Sequence, residues 1–201
     1  MKDSILDYAI AFACYAHSGV NRKGTDIPYI VHPIEVMKIV SSITSDKEVR
    51  AAAVLHDTVE DTNTSKDDIA YRFGNRVADL VAAESENKRE GTPEKETWRI
   101  RKQETLNHLN GIGKDAKIIC LGDKLANMRD IARDYAAIGD SLWERFNAPE
   151  TDEEGNDIGL SQKMSNIGWY YRGVASNLEG NLGDTRAWKE LDRLITEVFH
   201  C

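Results

Sequence analysis

The chain has 201 residues, of which 41% are hydrophobic, and a formal net charge of −8. This length and hydrophobic content are enough for one domain with its own core, and we expect a single domain over residues 1–201. The acidic balance argues against general attraction to nucleic acid or to anionic membranes, so an anionic ligand needs a local cationic site.

Targeting and redox signals are absent from the sequence. No run approaches the roughly 18 consecutive apolar residues of a membrane span. The first ten residues, MKDSILDYAI, carry acidic side chains where a signal peptide has an apolar run. The three cysteines have unrelated spacings and form no CxxC pair. We therefore expect a cytoplasmic protein without a structural zinc site.

Apolar residues at helical spacing predict three helices in the N-terminal part of the chain. The first breaks at His17, and the second has His32 at its entrance and Pro33 in its first turn. Ser45 has the spacing of a capping-box residue ahead of the third helix, VRAAAVLHD, whose apolar stripe points His56 inward. Both histidines are thus placed at the core side of helices.

Six more helices are predicted further along. They run from Ser65 to Gly74, along NRVADLVAA, from Pro93 to the GIG turn at 111–113, along DAKIICLGDKLANMRDIARDY, around 164–178, and around 191–198. The DAKIICLG helix is apolar on two sides, so we expect it to be central. Because alternation typical of strands is missing, the predicted fold class is all-α.

Two carboxylates on the predicted core helices require a group that compensates their charge. Asp57 and Asp123 each lie on the inward side of a predicted core helix, where an ionised carboxylate is costly unless a cation or hydrogen-bond donors compensate it. His56 and His32 are the nearest groups of complementary chemistry. Two imidazoles and two carboxylates suit a borderline divalent ion such as Mn²⁺, Fe²⁺, Co²⁺ or Zn²⁺. The sequence therefore predicts a metal site of His32, His56, Asp57 and Asp123.

Glu60 and Asp61 follow the His-Asp pair by one helical turn. If the helix continues, they stand on the ligand side without being ligands, where a carboxylate can orient or deprotonate a metal-bound water. We predict these two as catalytic residues.

Taken singly, an inward histidine is more often a hydrogen-bonded core residue, and acidic residues after a helix are often caps. The joint placement favours the metal site.

Basic and amide side chains supply candidate substrate contacts. Arg22 and Lys23 lie in the loop before the second helix. A basic pair in a loop is usually solvated, but a neighbouring metal site in an acidic protein favours phosphate contact. Lys88 either lines the mouth of the cleft or solvates a helix end. Asn127 shares the face of Asp123 at i+4 and is within reach of a nucleotide.

Three other features receive structural interpretations. Lys124 is predicted to point away from the site. The run Arg99, Arg101 and Lys102 is predicted to be a solvated helix face. The cluster Trp169, Tyr170 and Tyr171 is predicted to pack in the core.

These motifs resemble the HD-domain metal-dependent phosphohydrolases, whose signature is a histidine, an adjacent His-Asp pair and a distant aspartate. The stretches that carry a narrower resemblance are AHSGVNRKGTDIPYIVHPIEV, AAAVLHDTVEDT, FGNRVADLV and KIICLGDKLANMRD. They are similar to the hydrolase domain of RelA/SpoT-type alarmone enzymes and to stand-alone small alarmone hydrolases. The resemblance covers the core motifs at 5–135, and the C-terminal helices at 160–200 match weakly.

The resemblance implies an HD-type helical fold, one Mn²⁺ in the predicted site, and removal of the 3′-pyrophosphate from ppGpp and pppGpp. Glu60 and Asp61 match the Glu-Asp pair of such hydrolases, and Asn127 matches their nucleotide-contacting asparagine. Three alternatives stay open: an HD phosphohydrolase for a nucleotide with a 3′-phosphate or a 5′-monophosphate, a non-catalytic module that binds alarmone or metal, and a helical scaffold without an ion. The sequence does not indicate an oligomeric state.

Overall fold

The computed structural model describes residues 4–84, 89, 91–151 and 155–200, and the regular structure in these ranges is helical apart from isolated β-bridges. The helices are α1 (Ile5–Ala16), α2 (Val31–Ser41), α3 (Lys47–Leu55), α4 (Thr58–Asp61), α5 (Lys66–Phe73), α6 (Asn75–Glu84), α7 (Glu94–Leu109), α8 (Lys114–Ile138), a 3₁₀ segment (Gly139–Arg145), α9 (Leu160–Leu182) and α10 (Arg186–Phe199). The all-α prediction is confirmed. Among these helices, none has the length and apolar character that crossing a membrane requires.

The chain divides into two compact units. The first comprises Met1–Ser85 and Ile112–Ala126, and the second comprises Glu86–Gly111 and Asn127–Cys201. Helix α8 contributes its first half to the first unit and its second half to the second. The prediction that residues 1–201 form one domain stays a prediction.

Caps determine where helices of the first unit begin. Ser65 and Asp68 form the predicted capping box of α5, each side chain accepting a hydrogen bond from the other residue's amide. Helix α3 differs from the prediction because it begins at Lys47, which places Asp46 rather than Ser45 at the N-cap. The Asp46 carboxylate accepts hydrogen bonds from two amides of the first turn and adds a negative charge at the helix N-terminus.

A glycine brings α8 close to α2 in the first unit. A Cβ built on Gly122 would lie 2.8 Å from Cγ2 of Val40 and 3.3 Å from the carbonyl oxygen of Val36. The absence of a side chain at this position therefore permits the close approach. Because Asp123 is the next residue and His32 begins the same stretch of α2, this contact helps to set the distance between the two predicted ligands.

Aromatic side chains fill the core of the second unit. Tyr170 and Tyr171 are buried and have ring centroids 5.6 Å apart, as predicted for core packing, whereas Trp169 is half-buried. The fully buried Trp143 lies 5.7 Å from the ring of Phe199. The Tyr171 ring also stacks on Phe199 at a centroid distance of 6.3 Å, so these contacts join α9, α10 and the 3₁₀ segment.

The prediction that Arg99, Arg101 and Lys102 form a solvated face of α7 is wrong. Arg101 is only 6% exposed. The guanidinium carbon of Arg99 lies 3.5 Å from the ring centroid of Trp169, and the Lys102 ammonium lies 4.9 Å from that of Tyr170. Long basic side chains pack their stems on aromatic surfaces while the charge contacts the rings. A charge-rich sequence pattern alone does not reveal such packing.

We expect Gly122→Ala to lower the free energy of unfolding by about 1–3 kcal/mol, because the added methyl group overlaps the stiff Val40 side chain. The matched control is Gly180→Ala in α9, where an added Cβ would meet no atom of the described structure within 4 Å. There we expect a gain of about 0.5–1 kcal/mol from the reduced backbone entropy of the unfolded chain. Urea denaturation followed by circular dichroism measures both; equal effects would contradict the packing account.

Candidate metal centre

Three segments of the first unit deliver the predicted ligands to one point. His32 is the second residue of α2, the His56-Asp57 pair forms the turn between α3 and α4, and Asp123 lies in α8. Both histidines and Asp123 are buried, and Asp57 is half-buried. The structure thus brings all four side chains together, as the sequence predicted.

Each imidazole nitrogen lies at a ligand-like distance from both carboxylates. His32 Nε2 lies 3.1 Å from Asp123 Oδ1 and 3.6 Å from Asp57 Oδ2. His56 Nε2 lies 3.1 Å from Asp57 Oδ2 and 3.7 Å from Asp123 Oδ1. Ligands at about 2.1 Å from an ion are separated by about 3.0 Å at right angles and about 3.4 Å in a tetrahedron. The residues present therefore fit a divalent ion.

A backbone hydrogen bond determines which ring nitrogen of His56 carries the proton in the neutral imidazole. Its Nδ1 lies 2.9 Å from the carbonyl oxygen of Ala53, and because a carbonyl only accepts, Nδ1 donates. In the neutral ring, Nε2 then directs its lone pair toward the carboxylate oxygens of Asp57 and Asp123. Two carboxylates and an imidazole lone pair that converge in a buried place need a cation between them.

The pKa values show the same demand for positive charge. Burial alone would lower the pKa of His56, but the nearby charges of Asp57 and Asp123 raise it well above its ordinary value. Burial would raise the pKa of Asp57, but the nearby charge of His56 holds it below its usual range. A proton on His56 thus occupies the role that a metal ion would take, and the two compete.

Lys124 also contacts the site, contrary to the prediction that its side chain points away. Its ammonium group forms an ion pair with Oδ2 of Asp123, on the neighbouring residue. Adjacent residues leave a helix in different directions, but the four-carbon lysine stem is long enough to fold back. Burial would raise the pKa of Asp123, and the Lys124 charge is the largest factor that instead holds it well below its usual range.

Glu84, at the end of α6, is a further acidic group near this charge cluster. Its side chain is half-buried, and its Oε1 atom is shielded without a hydrogen-bond partner in the described part of the chain. Burial raises the pKa of the Cys120 thiol well above its ordinary value, and the nearby Glu84 charge adds to this shift. Burial raises the pKa of Glu84 to about 7, the Lys124 charge opposes this rise, and the Asp123 charge adds to it.

The predicted catalytic pair lies directly after the His-Asp turn. Helix α3 ends at Leu55 rather than continuing, yet the Asp61 amide still donates to the Asp57 carbonyl oxygen over 2.9 Å, so the one-turn spacing holds. Asp61 is exposed and Glu60 is half-buried on α4. The hydroxyl of Tyr29 lies 2.6 Å from Asp57 Oδ2 and 2.9 Å from Asp61 Oδ2.

The described residues include three of the four predicted substrate contacts. Arg22 is half-buried, with its guanidinium carbon 5.8 Å from the ring centroid of Tyr29. Lys23 is exposed in the same loop, and Asn127 is half-buried on α8, in the second unit. Lys88 lies outside the described residues. Their roles stay predictions.

Two residues beside the site were missed from the sequence. Tyr29 precedes His32 by three positions, and His17 stacks on the Tyr29 ring at a centroid distance of 4.7 Å. A signal for His17 exists: it follows the buried Ala9 and Ala13 at intervals of four, so it continues the inward stripe of α1. Tyr29 lies in a loop, where periodicity gives no such signal.

An all-helical chain that presents a histidine, a His-Asp pair and a distant aspartate at one buried point has the arrangement of HD-type hydrolases. The sequence matches the HD domain family over residues 9–148. The chain belongs to this family. Membership implies a divalent metal, and His32, His56 and Asp57 can supply ligand atoms that all lie within 4.8 Å of one another.

Relatives place the chain more narrowly. It is 40% identical over 129 residues to the guanosine-3′,5′-bis(diphosphate) 3′-pyrophosphohydrolase MESH1 of Xenopus tropicalis, covering 62% of this chain and 68% of that protein. It is 33% identical over an alignment of 202 residues to the guanosine-3′,5′-bis(diphosphate) 3′-pyrophosphohydrolase of Vibrio cholerae, covering 91% of this chain and 28% of that enzyme. The predicted resemblance to this family is confirmed.

Solved structures agree on the fold. A metazoan ortholog of SpoT, described as hydrolysing ppGpp, superposes with a TM-score of 0.72 at 26% identity, covering 98% of this chain and 97% of that one. A protein of Listeria monocytogenes EGD-e superposes with a TM-score of 0.65 at 31% identity, covering 87% of this chain and 97% of that one. The helical HD-type fold is therefore confirmed.

The raised pKa of Glu84 predicts a pH-dependent stability of the metal-free protein. Because the folded-state pKa of about 7 exceeds the ordinary 4.5, the folded chain keeps a proton that the unfolded chain loses. Stability is thus full below pH 4.5 and falls as the pH rises through 7. Glu84→Gln removes this loss, so we expect the variant to exceed the wild type by about 1–3 kcal/mol at pH 8 and to match it at pH 4.

Urea denaturation in the presence of a chelator, repeated between pH 4 and pH 8, measures this difference. Glu96→Gln, at an exposed position of α7, is the matched control and should parallel the wild type at every pH. A Glu84→Gln variant that also parallels the wild type would show that burial does not shift this carboxyl group.

Proposed function

We propose that the chain is a Mn²⁺-dependent phosphohydrolase that removes the 3′-pyrophosphate from ppGpp and pppGpp. The observation that carries the proposal is the convergence of two imidazoles and two carboxylates beside the carboxylate of Asp61. The activity named for the relatives at 40% and 33% identity supports this choice of substrate. The compact set of donors supports a single ion.

The proposed ligands are His32, His56, Asp57 and Asp123. A divalent ion bound by them would neutralise charge on a phosphoryl oxygen and lower the pKa of water. Imidazole nitrogen and carboxylate oxygen suit Mn²⁺, and Fe²⁺, Co²⁺ and Zn²⁺ accept the same donors. The hydrogen bond from His56 to Ala53 orients the ring for this task before any ligand arrives.

Glu60 and Asp61 would orient the attacking water and receive its proton. Asp61 is suited to this role because its Oδ2 is held by the Tyr29 hydroxyl close to Asp57. The water oxygen forms a bond to the phosphorus that carries the nucleoside 3′-oxygen. The bond between that phosphorus and the 3′-oxygen breaks, and the products are pyrophosphate and a nucleotide with a free 3′-hydroxyl.

Local cations and amides would position the substrate. Arg22 is suited to the distal phosphates because its guanidinium group is held near the Tyr29 ring. Lys23 and Lys88 would add positive charge, and Asn127 would hydrogen-bond the nucleotide. An acidic protein with a net charge of −8 needs such local positive groups to bind a polyanion.

Purified protein should turn over ppGpp and pppGpp with Mn²⁺ and lose this activity after chelation. The assay compares these substrates with nucleoside 3′-phosphates and 5′-monophosphates, each with Mn²⁺, Fe²⁺, Co²⁺ or Zn²⁺. Elemental analysis should find about one ion per chain in the wild type and in His108→Gln, an exposed histidine on α7, and far less in His56→Gln.

The pattern of turnover separates the alternatives. Hydrolysis of the monophosphates without ppGpp hydrolysis would favour an HD enzyme for another nucleotide. Binding of ppGpp without turnover of any substrate would favour a regulatory module. Retention of the ion by His56→Gln would contradict the assigned ligand set.

Replacing Glu60 by Gln and Asp61 by Asn should leave the metal content unchanged and lower kcat by about 10²–10⁴-fold, because the water loses its proton acceptor while the ligands stay in place. Steady-state kinetics and elemental analysis measure the two effects separately. Asp67→Asn is the matched control, since Asp67 is exposed on α5. Activity within about twofold of the wild type in the double variant would exclude the proposed role.

A further inference from the structure

The loop between α1 and α2 holds the backbone of Tyr29 in a fixed place. The Tyr29 amide donates a hydrogen bond of 2.8 Å to the carbonyl oxygen of Val20. Beside it, Asn21 and Pro28 form an isolated antiparallel bridge. The two ends of the loop are therefore tied together directly before α2 begins, and the Tyr29 side chain is directed from an anchored position.

The Tyr29 hydroxyl lies between two carboxylates of different proposed roles. It is 2.6 Å from Oδ2 of Asp57, the same oxygen that lies 3.1 Å from His56 Nε2, and 2.9 Å from Oδ2 of Asp61. A phenol keeps its single proton at neutral pH, so the two carboxylate oxygens share one donor. Without the hydroxyl, two like charges would face each other, and Asp61 would lose the contact that ties it to Asp57.

His17 supports the Tyr29 ring from behind. It is buried, and its ring stacks on that of Tyr29 with a centroid distance of 4.7 Å and an interplanar angle of 30°. Both of its ring nitrogens are shielded and have no hydrogen-bond partner among the residues that the structure describes. Burial lowers the pKa of His17, although the charges of Asp57 and Asp61 oppose this shift. The imidazole therefore acts as a neutral flat surface.

We propose that Tyr29 and His17 form a positioning pair for the hydrolytic reaction: the Tyr29 hydroxyl fixes Asp61 relative to Asp57, and the His17 ring fixes Tyr29. This inference rests on the proposed function, in which Asp61 orients the attacking water. The pair acts through Asp61 and is not itself required to touch the substrate. Its loss should consequently affect kcat rather than the binding of substrate.

Tyr29→Phe removes only the hydroxyl and keeps the ring that contacts His17 and Arg22. We expect kcat to fall about 10–100-fold, as for loss of one hydrogen bond to a charged group, with KM within about threefold and with the ion retained at saturating Mn²⁺. Tyr71→Phe, at an exposed site on α5, should behave as the wild type.

A double-mutant cycle tests whether Tyr29 acts through Asp61. If it does, Tyr29→Phe combined with Asp61→Asn should lose no more activity than Asp61→Asn alone. A crystal structure of Tyr29→Phe should also show the Asp61 carboxylate displaced by about 1 Å or more from its place beside Asp57. Three results would each overturn the inference. They are multiplicative losses of activity in the double variant, an Asp61 carboxylate that has not moved, and a Tyr29→Phe variant that loses the ion while its kcat is unchanged.

Two substitutions separate the ring of His17 from its nitrogens. His17→Phe keeps a flat ring and should retain kcat within about threefold, whereas His17→Ala removes the stack and should lower kcat about tenfold. Thermal melts with bound Mn²⁺ verify that both variants are folded at the assay temperature. Equal losses in His17→Phe and His17→Ala would show that the nitrogens matter and would overturn the role given to His17.

The same measurements distinguish this inference from the proposed function. If the wild-type protein hydrolyses no nucleotide, both the proposed function and the positioning pair are wrong. Wild-type protein that hydrolyses another nucleotide would remove only the ppGpp assignment, and the cycle would then be run with that substrate. Wild-type hydrolysis of ppGpp with independent effects of Tyr29 and Asp61 would remove only the positioning pair.

Discussion

The need to balance two ionised carboxylates at a largely buried point governs the first unit of this protein. Asp57 and Asp123 face Nε2 of both histidines at 3.1 to 3.7 Å, and the Ala53 carbonyl oxygen holds His56 in the tautomer whose lone pair points the same way. Such a group of acceptors is costly without positive charge, and removal of one partner leaves the other charge uncompensated. A bound cation would stabilise the folded state by the free energy of its binding. Folding and ion binding are therefore expected to be linked in this chain.

Close packing of small residues makes this convergence geometrically possible. The helix that leads to His56 contains three fully buried alanines, Ala51 to Ala53, and α8 has Gly122 directly before Asp123. Small side chains allow helix backbones to approach closely, whereas larger ones would separate the segments that carry the ligands. The spacing of the donor atoms is consequently a property of the core as much as of the ligands themselves. This explains why residues that contact no ligand are expected to affect the site.

Helical periodicity was sufficient to predict most of the helices and the inward direction of His56 and Asp123. It could not predict features that depend on side-chain torsions or on loop closure. The Lys124 stem folds back on its neighbour, Arg101 is buried, and the Tyr29 hydroxyl reaches two carboxylates across a loop. Each of these outcomes is decided by neighbours that are distant in sequence or by rotamers, so the pattern of polar and apolar residues does not specify it. The motifs of the family located the site, and tertiary contacts supplied its supporting residues.

An acidic protein that binds a polyanion must limit the negative charge that the ligand meets. A divalent ion is offset by the charges of Asp57 and Asp123, so it cannot by itself attract several phosphates. The Lys124 charge is already used by Asp123. Burial raises the pKa of Glu84, and an approaching anion would raise it further and so favour the protonated, uncharged form. Attraction then has to come from cations held at the edge of the site, and Arg22, fixed near the Tyr29 ring, has the placement for this role.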